Sequence, residues 1–307
     1  MTWLVGYEKK NQENKYCTKG TKGAPNVNCE IYKKFEARKT ASGCSTRAVS
    51  DIVLQLNIED VERQCKIMDL KSVILTTSGS VGFFKLVNCG LNNLPAPESA
   101  RRNVWKWRNI STSLVHSLIT GLWAVLCFYV HPQMAEDLIA THSVFSYALV
   151  CVSIGYFIYD FLDMVQNQKL SQSWELLFHH VVVVTCLGIA VLSGQYVGFA
   201  AVALLVEINS VFLHLRQVLL MAGLRRTTPY RVNSLVNLGT YVVFRISTLA
   251  WMTRWLALSR ERVPLLSYAV GSAGLAIVIA MNIVLFYRLL RSDFLRNGRE
   301  PRKEKEA

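Results

Sequence analysis

Residues 175–216 read ELLFHHVVVVTCLGIAVLSGQYVGFAAVALLVEINSVFLHLR, and this stretch decides the fold. It holds two apolar runs, 175–193 and 196–220, meeting at Ser193-Gly194-Gln195. A helix that crosses a hydrocarbon core of about 30 Å needs roughly 20 apolar residues. Both runs have that length, and their three-residue connection predicts a tight helical hairpin. Yet His179, His180, Glu207, His214 and Arg216 lie inside them. Ionisable groups at membrane depth cost on the order of 2.5–3.5 kcal/mol each on insertion scales, so they face an interior and invite a functional reading.

Outward from this hairpin, further apolar spans read at 110–130 and 143–165 on one side and at 234–258 and 265–290 on the other. The stretch 71–89 has two lysines and several small polar residues and is not counted. The expected fold class is therefore all-α: a membrane protein of about six transmembrane helices with an internal polar or lipid-filled cavity. The segment 1–95 is expected to be largely irregular, with short stretches such as 50–72 spaced for an amphipathic helix. The membrane domain is taken as 96–298 and the basic tail as 299–307.

Composition agrees. Of 307 residues, 51% are hydrophobic and 18% charged, with a mean hydropathy of +0.26; soluble domains carry about a quarter charged residues. The net charge of +13 is not spread over a soluble face beside base-stacking aromatics, as a nucleic-acid partner requires. It flanks spans: Arg101, Arg102, Lys106 and Arg108 before the first counted one, Arg288 to Lys305 after the last. That placement suits an orientation signal and an anionic lipid surface. The loops at 131–142 and 193–195 lack Lys and Arg, and the loop at 222–233 has Arg225, Arg226 and Arg231. Both termini are thus expected in the cytosol. Arg260 and Arg262, beside Glu261, fit that rule badly. The sequon Asn109-Ile110-Ser111 then falls on the wrong side for glycosylation. The opening residues show no cleavable signal peptide, which leaves the first span as signal anchor. The 8 cysteines have neither zinc nor disulfide-framework spacing, so no metal and no cofactor is expected.

Several spans place polar groups on shared faces. Tyr156, Asp160 and Asp163 recur at i, i+4, i+7, which puts them on one side of a helix. Adjacent His179 and His180 point about 100° apart, and Glu175 sits one turn before His179. A histidine with a carboxylate one turn away can act as general base or acid; the same pattern also serves as a hydrogen-bonding node. Glu207, Ser210 and His214 share one face, Asn209 and Arg216 another. A mid-span glutamate needs a proton or a cation, for which His179, His180 or Arg245 are the expected partners. His116 and Asn282 add further polar points.

The ordered motifs RNVWKWRN, LVHSLITGLWA, GYFIYDFLDM, SWELLFHHVVV and LLVEINSVFLHLR resemble the TLC domain, over about residues 96–298. The family includes ceramide synthases, translocating-chain-associating membrane proteins and small plasma-membrane members, and the likeness is strongest to the small members. The resemblance implies a six-helix bundle around a hydrophobic cavity open to lipid. By motif position His179 and His180 match the paired histidines that serve N-acylation by acyl-CoA in ceramide synthases, and Asp160 matches the aspartate of the preceding helix. The helix after the pair departs: Glu207, Asn209 and His214 stand where ceramide synthases carry a His-Asp…Asp cluster. The small members imply a role in setting phospholipid acyl composition and membrane fluidity by limiting polyunsaturated chains. Expected partners are membrane lipids (phospholipids or fatty-acyl chains), with room for a homo-oligomer. The plasma membrane is the expected location, and the C-terminal Lys303 and Lys305 form a dilysine-like pattern suited to the endoplasmic reticulum as the alternative.

Overall fold

A computed structural model of the protein describes residues 69–93 and 96–295, and these residues are almost wholly helical. Helix α1 spans Leu70–Leu91, and a 3-10 turn, Glu98–Asn103, leads into α2, Val104–Val130. A single turn, α3 (Gln133–Glu136), precedes α4 (Val144–Asn167) and α5 (Leu170–Ser193). The next span is broken into α6 (Val197–Leu204) and α7 (Glu207–Met221). The one after it runs through α8 (Thr228–Tyr241), a π-helical turn (Val242–Ser247) and α9 (Thr248–Leu258). Helix α10, Leu265–Leu290, ends in a second π-helical turn, Arg291–Leu295. The sequence-expected domain boundary at 95 and the tail from 299 lie at or beyond the edges of the described residues.

The six expected spans are all present, and the hairpin between α5 and α6 is as tight as its sequence demands. Gly194 closes α5 at φ 66°, a left-handed conformation that glycine adopts without cost, and Tyr196 follows at φ 65°. The Tyr196 N–H donates to the Ile139 carbonyl at 2.8 Å, which ties this turn to the 131–143 loop.

The correction is a seventh helix. The uncounted stretch 71–89 forms α1, long and apolar enough to cross a membrane, so the described residues hold seven such helices. Two of its polar residues, Ser80 and Asn88, lie on its packing face. Ser80 Oγ donates to the Val152 carbonyl at 2.7 Å, and Asn88 Nδ2 donates to the Tyr159 hydroxyl at 2.5 Å. Phe84, fully buried, lies between them. Gly155 of α4 lets the backbones meet, because a Cβ there would stand 2.5 Å from both the Thr77 carbonyl oxygen and Ser80 Cβ. Small residues at a helix crossing of this kind are how membrane helices associate without a hydrophobic driving force between them.

Two spans carry irregular backbone at mid-depth. At the α6–α7 junction the N–H groups of Leu205, Val206, Ile208 and Asn209 all bond to carbonyls three residues back, which tightens one turn. The π-helical turn at 242–247 widens the next span at Arg245. Both irregularities border the polar interior.

Candidate functional site

The diverging directions of His179 and His180 decide the site. His180 turns toward α4. Its Nε2 lies 2.9 Å from Asp160 Oδ2, and its Nδ1 lies 2.6 Å from the Leu176 carbonyl oxygen one turn back. Nδ1 must therefore donate, which fixes the ring in one orientation against the carboxylate. Asp160 is held from its other side by Asn109 of α2, whose Nδ2 donates to Oδ1 at 2.5 Å. The same amide reaches Asp163 Oδ2 at 3.3 Å, and Trp105 Nε1 donates to that oxygen at 2.8 Å. Trp105, Asn109, both aspartates and His180 thus make one continuous chain through α2, α4 and α5. Asp160 is 4% exposed and His180 3% exposed; buried ionisable groups persist only when paired and hydrogen-bonded in this way.

Tyr156, a turn before Asp160, stacks on His116 of α2 with ring centroids 3.6 Å apart. His116 Nδ1 in turn stands 3.9 Å from Glu207 Oε2, and that oxygen accepts the Ser117 hydroxyl at 2.7 Å. Here the expected partner is corrected. Glu207 takes its hydrogen bond from Ser117 and stands beside His116 rather than His179 or His180, while Arg245, the third expected partner, lies within its electrostatic reach. The reason is the close approach of α2 to α7 at Gly121, where a Cβ would lie 3.1 Å from the Ile208 nitrogen.

Arg245 enters a neighbouring cluster. Its Nε and two terminal nitrogens donate to Asn209 Oδ1, Asn282 Oδ1 and Ser210 Oγ, each at 2.7 Å. Asn209 Nδ2 donates onward to the Asn237 side-chain oxygen at 2.9 Å and to Thr240 Oγ1 at 3.0 Å. His214, half-buried on α7, lies within electrostatic reach of both Arg245 and Asp160.

Two expected members are not in this interior. Glu175 is exposed near the start of α5 and pairs with Arg288 of α10 at 3.2 Å, on a side of the helix turned away from the buried Ser173 and Leu177. Arg216 is buried at the end of α7, where Asp293 takes its guanidinium through both carboxylate oxygens. Ser292 Oγ accepts from it at 2.9 Å, and the Tyr230 hydroxyl donates to Asp293 at 2.8 Å. This is a separate lock joining α7, α8 and the end of α10. Of the groups the sequence reading missed, Trp105 and Asn109 sit at a span entrance where such residues are common. Asp293 lies 77 positions from Arg216, with no periodicity to link them.

His179 points the other way, into a cavity of about 180 Å³ between α5, α6, α9 and α10. Its Nδ1 is buried and has no hydrogen-bond partner. Glu207 borders the same inner end, and Tyr196, Val263 and Ser267 line the cavity toward the loops. Between these ends the walls are aliphatic or aromatic, with Phe157, Cys186, Leu249 and Leu275 among them, and none of the lining residues is Lys or Arg. Gly271 and Gly274 keep the α10 wall low; a Cβ at Gly274 would stand 2.7 Å from Cys186 Sγ. The arrangement offers an apolar chain a slot that ends at one imidazole and one carboxyl group.

Comparison with known proteins agrees with this geometry. The TLC domain profile matches residues 106–291. The chain is 76% identical over 241 residues to TLC domain-containing protein 2 of Danio rerio, covering 78% of this chain and 98% of that one. It is 43% identical over 228 residues to human TLC domain-containing protein 2, covering 74% and 86% respectively. With human TLC domain-containing protein 1 the identity is 34% over 219 residues, covering 70% and 88%. The likeness to the proteins numbered 2 is the stronger. With its helical bundle, its seven candidate spans and this match, the chain is a multi-pass membrane protein that belongs to the TLC domain family.

Proposed function

We propose that this protein binds membrane lipid in the α5–α6–α9–α10 cavity and thereby regulates phospholipid acyl composition and membrane fluidity, limiting polyunsaturated phospholipids. The observation that carries the reading is the cavity itself: an apolar slot at membrane depth with polar groups confined to its ends. Pockets for small amphiphiles have that make-up, mostly hydrophobic walls with a few placed polar atoms. The relatives' family, whose small members the motifs resemble, supports the same role. The plasma membrane is the proposed site of action. The basic end of the bundle, with the loops at 92–103 and 222–227 and the residues after α10, faces the cytosol in this reading.

The test is lipidomics of cells lacking the protein, rescued with wild type or with the His179→Ala/His180→Ala double variant. A raised share of polyunsaturated phospholipid in the knockout is expected, with reversal by wild type. An unchanged acyl profile overturns the reading.

A second reading, acyl-CoA-dependent acyl transfer, is favoured by one observation: His179 lines the cavity and its Nδ1 has no hydrogen-bond partner, while both nitrogens of His180 are engaged. His179 would take the proton from an attacking amine or hydroxyl as the new bond to the acyl carbonyl forms. It would return that proton to the departing thiolate as the C–S bond breaks. His180, held by Asp160, would orient the helix face. Full rescue by the double variant excludes this reading and leaves the first intact.

A further inference from the structure

The two arginines that fit the charge rule badly, Arg260 and Arg262, stand at the loop end of the cavity, next to the cavity-lining residue Val263. Both are exposed. Arg262 makes a single 3.3 Å contact with Asp137, in a pair whose side chains are 60% and 36% exposed, and such a pair holds its members weakly. The Arg260 guanidinium lies 5.9 Å from the Tyr268 ring centroid. Acidic groups alternate with these cations: Glu261 between them and Asp137 across from them. None of the residues lining the cavity below is Lys or Arg, and its inner end presents the Glu207 carboxyl group, so the arginines at the loops suit a phosphate better than the interior does.

We propose that Arg260 and Arg262 hold the phosphate of a zwitterionic phospholipid at the loop end of the bundle while one acyl chain of that lipid occupies the cavity toward His179. Guanidinium groups are suited to phosphate oxygens, and the adjacent Glu261 and Asp137 suit the headgroup's amine. The lining of α5 from His179 to Ala190 runs about 16 Å at 1.5 Å per residue, enough for the greater part of an acyl chain below a headgroup at the loops. The inference rests on the cavity being a lipid site, as proposed above. It adds which end the headgroup occupies and which residues choose it.

The test uses the full-length protein in phosphatidylcholine vesicles doped with a phosphatidylcholine carrying a diazirine at mid-chain, with a diazirine fatty acid run in parallel. Cross-links are mapped by peptide. In wild type both probes are expected to label the α5 and α10 walls of the cavity. In Arg260→Gln/Arg262→Gln, phosphatidylcholine labelling is expected to fall roughly tenfold, the loss that one charge-assisted hydrogen bond produces, with fatty-acid labelling unchanged. Unchanged fatty-acid labelling also shows that the variant is folded. Equal phosphatidylcholine labelling in wild type and variant overturns the headgroup assignment. Displacement of the probe by excess inorganic phosphate overturns it too, by making the arginines a general anion site. If neither probe labels the wild-type cavity, the lipid-binding reading itself fails, which is a distinguishable result.

Discussion

Replacing Gly155 with alanine tests whether α1 is a true member of the bundle. The added Cβ would lie 2.5 Å from the Thr77 carbonyl oxygen, against the 3.4–4 Å of ordinary contact, and that oxygen is backbone, which cannot swing aside. Helices α1 and α4 would have to part by about 1 Å, a displacement at which a hydrogen bond reaches its outer limit of length. The Ser80–Val152 and Asn88–Tyr159 bonds both cross this seam. Overpacking costs about 1–3 kcal/mol, and interhelical hydrogen bonds in membranes are worth about 0.6 kcal/mol each, together about 2–4 kcal/mol. Equilibrium unfolding of the purified protein in mixed micelles measures it. Gly79→Ala and Gly82→Ala are the controls, since a Cβ at either meets nothing within 4 Å; both should be neutral or slightly stabilising, because alanine is a better helix former by about 0.5–1 kcal/mol. Adding Ser80→Gly to Gly155→Ala should restore only part of the loss, because the Thr77 carbonyl remains in the way. If Gly155→Ala matches its controls, α1 does not dock on α4 through this face and the seven-helix bundle is wrong.

Asp160→Ala leaves His180 buried without its carboxylate and should cost about 3–5 kcal/mol, whereas Glu175→Ala, at the exposed pair with Arg288, should cost at most about 1 kcal/mol; unfolding midpoints of the two, side by side, check the contrast. Asp293→Ala should destabilise by a similar 3–5 kcal/mol or so, and Arg216→Met/Asp293→Leu should recover most of it, because an apolar pair replaces a broken ionic one. His142, in the 131–143 loop, has its pKa pushed below the ordinary histidine value by burial, against an opposing contact with the Ala140 carbonyl at 2.9 Å. The unfolded chain takes up this proton first as pH falls, so stability is full above a pH of about 6.5 and declines below it. His142→Asn should flatten that decline in melting curves taken between neutral and mildly acidic pH, and an unchanged slope would count against the burial.

Hydropathy made six spans legible because each is a long run with few charges. It passed over α1 for a physical reason. Ser80 and Asn88, which lower the apolar count, are the residues that bond to α4, while Lys85 stays exposed. A scale that penalises polar atoms cannot tell a satisfied serine at a crossing from one facing lipid. In the site, helical spacing correctly grouped Tyr156, Asp160 and Asp163, and it separated His179 from His180. It could not choose which histidine meets the aspartate, since that depends on how α5 is rotated against α4. Spacing also over-reached with Glu175, which shares a face with His179 but is exposed and paired with Arg288. Partners across distant helices, such as Glu207 with Ser117 or Arg216 with Asp293, leave no mark on local pattern at all.

The hydrogen bonds of the interior also carry an order in time. Asp160 and Asp163 find Asn109 and Trp105 on a helix made before them, His180 finds Asp160, Glu207 finds Ser117, and Arg245 finds Asn209 and Ser210. A chain that enters the bilayer from its N-terminal side thus never has to leave these groups waiting, because each charged span arrives to acceptors or donors already in place. Other groups wait for a later partner: Arg216 for Asp293, synthesised 77 residues later, Glu175 for Arg288 and His116 for Glu207. Of the two arginines in these pairs, Arg216 is the buried one. It sits at the end of its helix, where water or headgroups can serve it until α10 closes the bundle. The Arg216–Asp293 pair can therefore form only once α10 has been made.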